Sequence, residues 1–369
     1  MTVVGVLGAG QLGRMLALAG FPLGLRCAFF DENAEAPACH LGTLTVASWD
    51  DCSALDSFAN TVDLVTYEFE NVPVAAAERL AALVPVFPPP KALDVAQDRL
   101  KEKNLFRELD IDTAEFAAVD SREELDRAIA AIGLPSVLKT RTQGYDGKGQ
   151  RVLRRAEDLD PAFAAIGGRP LLLEGFVPFE RELSILAARG RTGETAFWPL
   201  VENVHRDGIL RLSTAPAPSA EGALTEEATA IAARTLQALD YVGVLAIELF
   251  QYGGRLLANE MAPRVHNSGH WTIEGAKTSQ CENHLRAVLG LPLGSTGAIG
   301  VSAMVNLIGE TPDPAGLLGI EGAHLHLYGK PARPGRKLGH VTLVEPERSA
   351  LESALARVAT LVAEPSLSR

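Results

Sequence analysis

The sequence predicts an α/β fold that is α+β in parts, and three observations carry that prediction. First, the chain opens on an apolar strand, Thr2–Leu7. The turn Gly8-Ala9-Gly10-Gln11-Leu12-Gly13 comes next, then a helix over Arg14–Ala19 and a second strand over Arg26–Phe30. Short apolar runs alternating with a glycine turn and a helix mark parallel strands covered on both faces. Second, the apolar runs Val244–Phe250 and from Leu256 onward are split by Gly253-Gly254, which reads as an antiparallel hairpin. Third, proline and glycine clusters at Phe87–Pro90 and Gly290–Gly294 punctuate the chain. They divide it into 1–90, 91–294 and 295–369, and 369 residues suffice for two or three domains.

Bulk composition narrows the class. Hydrophobic content of 47% with 22% charged residues fits a globular enzyme. A net charge of −12 argues against a nucleic-acid or anionic-membrane partner, either of which needs a basic face. It leaves room for a small anionic ligand in a local basic pocket. Cys27, Cys39, Cys52 and Cys281 form no C-x-x-C pair, which suits a reducing compartment and no zinc site. No charged stretch precedes an apolar core at the start, and no apolar run reaches about 18 residues. A cytoplasmic protein without a membrane span is therefore expected.

The hairpin carries the first functional signal. A two-residue loop would set Glu248 opposite Asn259, whereas a three-residue loop with a bulge would set it opposite Glu260. Directly opposed acids destabilise a hairpin unless a cation lies between them, and Mg²⁺ takes such oxygen ligands while bridging phosphates. Spacing alone does not choose between a Mg-nucleotide clamp of Glu248, Glu260 and Asn259 and acids that face solvent. The residues just beyond the hairpin favour the clamp. Arg264, His266, Asn267, Ser268 and His270 crowd the strand exit, a density of donors suited to an anion.

Other motifs lie along the chain in order. The opening turn with Asp31 matches the dinucleotide fingerprint, although any phosphate suits a helix N-terminus. Glu68 reads as an ordinary helix-start acid. Glu70, past a strand at Val62–Thr66, could accept from a hydroxyl or amine. Ala92–Leu109 reads as one helix with Arg99 and Lys103 on one face, a spacing that usually means solvated surface. Ser136–Lys139 is a strand ending in lysine. Beyond it, Gly144, Tyr145, Asp146, Gly147, Lys148, Gly149 and Gln150 form a loop whose glycines allow close approach to phosphates. It is not a Walker A loop, and it could close as a lid. Asp146 would repel phosphate, which points it at a second substrate.

Glu174, Gly175, Phe176 and Val177 end an apolar strand in a hinge suited to an adenine edge. Glu182 alternates away from Arg181 and could take both ribose hydroxyls. His324 and His326 share a strand face without a third ligand nearby, so half-buried strand histidines are expected. Lys330, Arg333, Arg336 and Lys337 lie in a Pro/Gly turn, which suits a sugar phosphate.

Six motifs in this order, G-Q-L-G-R-M, G-Y-D-G-K-G-Q, E-G-F-V-P-F-E-R-E, H-R-D-G-I-L-R, N-E-M-A-P-R-V-H-N-S-G-H-W and P-G-R-K-L-G-H, run from Gly8 to about His340. Together they resemble the N5-carboxyaminoimidazole ribonucleotide synthetases of the ATP-grasp superfamily. The resemblance implies a Rossmann-like N-terminal domain, an ATP-grasp domain and a small C-terminal domain. It implies the reaction of ATP, bicarbonate and 5-aminoimidazole ribonucleotide to the N5-carbamate, ADP and phosphate through carboxyphosphate, with Mg²⁺ required. It assigns Arg99, Lys139, Gly144–Gln150, Glu174–Val177, Glu182, His205, Asn259 and Glu260 to ATP, and Glu248 with Glu260 to Mg²⁺. Gln11, Leu12, Glu70, Tyr145, Asp146, Arg264, His266, Asn267, Ser268, Lys330, Arg336 and Lys337 fall on the ribonucleotide and bicarbonate side. Asp146, Arg264 and Lys330 are the expected catalytic members. The first glycine turn would then serve the second substrate rather than a dinucleotide, and a homodimer is expected.

Two rival readings stand beside this one. A formate-using ATP-grasp ligase acting on glycinamide ribonucleotide would share the clamp, but N-S-G-H-W argues against it. An NAD-dependent oxidoreductase would use the first turn and Asp31, leaving the clamp and the basic turn unexplained.

Overall fold

Val3–Leu7 (β1) is buried along nearly its whole length and has parallel neighbours on both edges, as expected of a strand covered on both faces. Arg26–Asp31 (β2), with Thr43–Val46 (β3) beyond it, pairs along one edge, and Leu64–Tyr67 (β4) along the other. The computed structural model describes residues 1–144 and 147–363. Tyr145 and Asp146 of the second glycine loop thus lie outside the described residues.

The helix after β1, Gln11–Gly20 (α1), begins before the predicted Arg14. The cause is Glu68. Its carboxylate accepts from the backbone amides of Gly10 at 2.8 Å and of Leu12 and Gly13 at 3.1 Å. These are the donors that a helix leaves free at its start. Glu68 is therefore not the start of a following helix; it caps one that lies 55 to 58 positions earlier. Asp31 accepts from Ala9 N at 2.7 Å and Asn33 N at 2.8 Å, so it too holds the turn. Asp31, the acid of the dinucleotide reading, and Glu68 are both engaged with the protein's own backbone.

The helix expected over Ala92–Leu109 is broken into Pro90–Gln97 (α2) and Arg99–Glu108 (α3). Asp98 breaks it by adopting an extended backbone and capping α3 at Leu100 N. Its carboxylate also takes both Nε and Nη2 of Arg141. The break turns α3 so that Lys103 is fully buried and Arg99 faces inward, which corrects the expectation of a solvated face.

Counted over the described residues, two further sheets complete the fold. Phe116–Val119 (β5), Ser136–Thr140 (β6), Gln150–Leu153 (β7) and Leu171–Gly175 (β8) form a small antiparallel sheet in the order β5-β8-β6-β7. The large sheet takes Arg181–Arg189 (β9), Thr195–Phe197 (β10), Val201–Arg206 (β11), Ile209–Ala215 (β12), Gly243–Tyr252 (β13) and Arg255–Ala262 (β14). It continues through β12 into Val301–Ile308 (β15), Ala323–Leu327 (β16) and Lys337–Glu345 (β17). The residues after 295 thus extend the central sheet rather than building one of their own. The helix Gln280–Leu289 (α4) precedes this extension, and the closing helix Arg348–Leu361 (α5) packs Leu351, Leu355 and Val358 on it.

One apolar core joins the first sheet to the large one, uniting Val4, Leu16 and Phe29 with Leu186, Val244 and Trp271. Helix α4 stitches the same seam. Val244 N donates to His284 Nδ1 at 3.1 Å, and the other ring nitrogen lies 2.7 Å from Thr66 Oγ1.

Candidate active site

The three sheets meet around a cavity of about 400 Å³. One end is built by the β13–β14 hairpin. Its loop is the two-residue Gly253-Gly254 with φ of 58° and 75°, a left-handed pair that glycine adopts without strain. Neither predicted register holds as drawn. The short loop is followed by a bulge, and Asn259 is the extra residue, so Glu248 still pairs with Glu260. The bulge leaves Asn259 Oδ1 buried without a hydrogen-bond partner among the described residues.

Opposed acids need counter-charges, and the structure supplies them unequally. Arg99 Nη1 donates to Glu260 Oε2 at 2.7 Å. Burial opposes ionisation of Glu260, yet the Arg99 guanidinium outweighs it and holds this carboxyl low. Glu248 is pushed up by burial and then by Glu260 itself. His266 Nε2 lies 3.4 Å from the Glu248 carboxylate. That ring has a fixed tautomer. Ser268 N donates to His266 Nδ1, and a backbone amide can only donate. Behind it runs a one-way relay. Ser213 Oγ donates to Asn203 Oδ1, Asn203 Nδ2 to Ser184 Oγ, Ser184 Oγ to Ser268 Oγ, and Ser268 Oγ to His266 Nδ1. The ring proton therefore sits on Nε2, facing Glu248. Ser268 is fully buried and reaches the cavity only through His266.

Lys139 leaves β6 toward the same cavity and donates to Glu174 Oε2 at 2.9 Å, while Lys103 lies 3.7 Å from that oxygen. Burial would raise Glu174, but the two lysines overcome it and hold its carboxyl at about 2. The glycine loop enters over Arg99, and a Cβ on Gly144 would lie 3.1 Å from Arg99 Nη2. Gly147 has φ +72° and abuts Asp207 and Gly208, so the loop leans on the turn between β11 and β12. Phe176 and Val177 line the cavity as expected, and so does Gly175. Sequence reading did not mark Phe179 and Phe250, which stack with centroids 4.6 Å apart and planes within 2°. They give the slot an aromatic wall suited to a flat base. An aromatic two residues past the hinge and one on β13 were the only signal. Glu182 meets His205 Nδ1 at 2.8 Å; burial lowers the imidazole, and the carboxylate outweighs it to raise its pKa.

The other end is assembled from all three parts of the chain. Arg264, leaving β14, forms an ion pair with Glu70, which follows β4. Gln97 Nε2 donates to the carbonyls of Glu70 and Val72 and anchors that segment. Gln11 and Leu12 present the start of α1, and Lys330, which does not itself line the cavity, donates to Gln11 Oε1. Lys337, His270 and Tyr328 complete this wall. Asn267 and Asn306 exchange amide hydrogen bonds of 3.1 and 2.7 Å. Arg336 donates to Pro331 O in its own turn and does not line the cavity. His326 meets Glu274 at 2.7 Å instead of pairing with His324, which is exposed.

Residues 1–97 match the ribonucleotide synthetase preATP-grasp domain, residues 104–281 the ATP-grasp domain, and residues 302–354 the phosphoribosylaminoimidazole carboxylase C-terminal domain. The N5-carboxyaminoimidazole ribonucleotide synthase of Pseudomonas aeruginosa is 54% identical over 97% of this chain and 99% of its own. The crystal structure of the synthetase from Thermus thermophilus superposes with a TM-score of 0.95 at 61% identity, covering 98% of this chain and 99% of that one. The Aspergillus clavatus synthase, solved in complex with ADP and 5-aminoimidazole ribonucleotide, gives a TM-score of 0.91 at 32% identity over 98% of each chain.

Proposed function

The chain belongs to the N5-carboxyaminoimidazole ribonucleotide synthase family, and from that premise we propose how its cavity performs the family's reaction. It is an ATP-grasp ligase of purine biosynthesis. It carboxylates 5-aminoimidazole ribonucleotide with bicarbonate at the expense of ATP, through carboxyphosphate, giving the N5-carbamate, ADP and phosphate. One observation carries the site assignment: the opposed acids Glu248 and Glu260 and the Arg264–Glu70 pair open into a single cavity.

In the nucleotide half, the base would lie in the slot of Phe176, Phe179 and Phe250, and Glu182 would receive the ribose. Lys139 and Arg99 would meet the phosphates, with the Gly144–Gln150 loop closing above to exclude water. Asn259 Oδ1, buried with no partner, and the mutually repelling Glu248–Glu260 pair are the donor set a hard cation satisfies. Glu248 and Glu260 would hold Mg²⁺, with Asn259 beside them, and the ion would neutralise charge on the transferring phosphoryl group.

In the other half, Lys330 and Lys337, with Gln11 and Leu12, would receive the ribose phosphate. Arg336 is proposed there as well, and would have to leave Pro331 O to reach it. Arg264, His266 and Asn267 would surround bicarbonate and the carboxyphosphate made from it, with Ser268 acting from behind. Glu70 would orient the amine, and Asp146 with Tyr145 would approach from the loop. Arg264 is held by Glu70 in this structure, so an incoming anion would have to share it. The proposed working form is a homodimer in the cytoplasm, supported by the prevalence of two-fold oligomers among soluble enzymes. Among the described residues no helix is long and apolar enough to cross a membrane.

The test is ADP formation measured with each substrate omitted in turn. ADP should appear only when ATP, bicarbonate and 5-aminoimidazole ribonucleotide are all present. It should stop with a chelator and return with Mg²⁺. Turnover supported by formate and glycinamide ribonucleotide instead would replace this reading with that of the sister ligase.

A further inference from the structure

The loop after β14 carries a second histidine, His270, behind the groups that meet nucleotide and metal. It is 1% exposed and lines the cavity beside Arg264, Lys337 and Tyr328. Its chemistry is decided by Gln280, the fully buried first residue of α4. Gln280 Oε1 accepts from His266 N at 2.9 Å, and Gln280 Nε2 donates to His266 O at 2.7 Å. A backbone N–H can only donate and a carbonyl can only accept, so the amide orientation is fixed at both of its atoms. The same Nε2 lies 3.2 Å from His270 Nδ1. That ring nitrogen must therefore accept, and the imidazole carries its proton on Nε2.

The ring is also locked in place. His340 packs against it with centroids 4.8 Å apart, and His326 in turn stacks on His340 at 4.4 Å. Tyr328 OH meets His340 Nδ1 at 2.7 Å, and Glu274 holds His326. Burial, then the neighbouring His326, Lys337 and Arg264, push the His270 imidazole down to about 3. It is neutral at neutral pH. A rigid, uncharged N–H facing a cavity stabilises charge that develops during a reaction and needs no reorganisation to do so.

Resting on the reaction assigned above, we propose that His270 is a further catalytic residue. Its Nε2–H donates a hydrogen bond to a carboxyl oxygen as the bicarbonate-derived carbon is transferred to the amine, and Gln280 is the positioning residue that aims it. Carboxyphosphate first breaks the C–O bond to its phosphoryl group, releasing phosphate and CO₂; the C–N bond then forms from the amine lone pair, and one C–O π pair of CO₂ moves onto the carboxyl oxygen. The amine loses one proton to the phosphate released in the same cycle. His270 keeps its own proton throughout, so its contribution is electrostatic.

Three measurements test this. H270F removes the donor, and H270Q replaces it with an amide N–H at similar reach. H270F should lower kcat for carbamate formation by about tenfold or more while leaving the KM for ATP near wild type, the signature of a lost transition-state donor. H270Q should recover most of that loss. A kcat for carbamate formation in H270F equal to wild type would overturn the proposal. If H270F does not fold, ¹⁵N NMR of the wild-type imidazoles decides. The Nε2–H tautomer of His270 should be seen at neutral pH, with its signal shifting when ADP, bicarbonate and the ribonucleotide are added, whereas a proton on Nδ1 or an unmoved signal would overturn the assignment. Wild type run alongside separates two failures. If it makes no ribonucleotide-dependent ADP, the reaction assignment falls and takes this proposal with it. If it does, and H270F matches it, only this proposal falls.

Discussion

Glu68 shows how far one side chain can change the reading of a motif. The sequence offers a glycine turn at the head of a helix, the usual seat of a phosphate. In the fold a protein carboxylate already occupies that seat and satisfies three backbone donors. Removing it leaves buried amides without partners, at about 1–3 kcal/mol for each unsatisfied group. E68A is therefore expected to lose about 3 kcal/mol of stability in urea titrations, with E68Q intermediate. Gly269 has a comparable local reason. A Cβ there would run into Leu186 Cδ2 and Gln280 Oε1. G269A should cost about 1–3 kcal/mol by overpacking, read from the thermal midpoint. Neither role was legible, because each depends on a partner far along the chain. The acids, donors and glycines of the cavity were legible as types, and Glu248 opposite Glu260 as one of two registers, but the other partnerships were not.

At the scale of elements, α3 departs most from its expected character. A helix with Arg99 and Lys103 on one face looks solvated until Asp98 breaks the chain before it. The break swings Lys103 under β8, where it shares Glu174 with Lys139. Glu174 thereby has a folded pKa of about 2 against an ordinary 4.5. A depressed carboxylate contributes stability that is complete above its unfolded value and is lost as pH falls through the folded one. The window is thus from 4.5 down to about 2. Urea midpoints measured across it should fall for wild type and fall less steeply for E174Q. E174Q should also be less stable at neutral pH, since it leaves Lys103 buried beside a neutral group. The hairpin teaches the complementary lesson. Gly253-Gly254 marked its turn from local chemistry alone, whereas the place of the bulge, at Asn259, is seen only in the folded pair of strands.

Over the whole molecule, the cavity lies where three sheets converge, and only the small sheet lacks a share in the core that joins the other two. That unit, Phe116–Gly175, carries the glycine loop, so it is the part free to respond to nucleotide. Mg-ADP at 100 times its Kd should stabilise the protein by about 2.7 kcal/mol, seen as a rise in unfolding midpoint. Hydrogen exchange should slow most in β6 and β7. Equal slowing in all three sheets, or none in β6 and β7, would reject the small sheet as the responsive element.

By itself the sequence determined the parts. Strand–turn–helix order, the glycine loop, the opposed acids and the basic turn follow from local periodicity and residue chemistry, and their order along the chain identified the family. The tertiary structure alone decided the partnerships: Glu68 with α1, Arg264 with Glu70, Gln280 with His270, Lys103 with Glu174. Local conformation is set by neighbours a few residues away. Hydrogen-bond direction, tautomer and burial are set by groups that only folding brings within about 3 Å of one another.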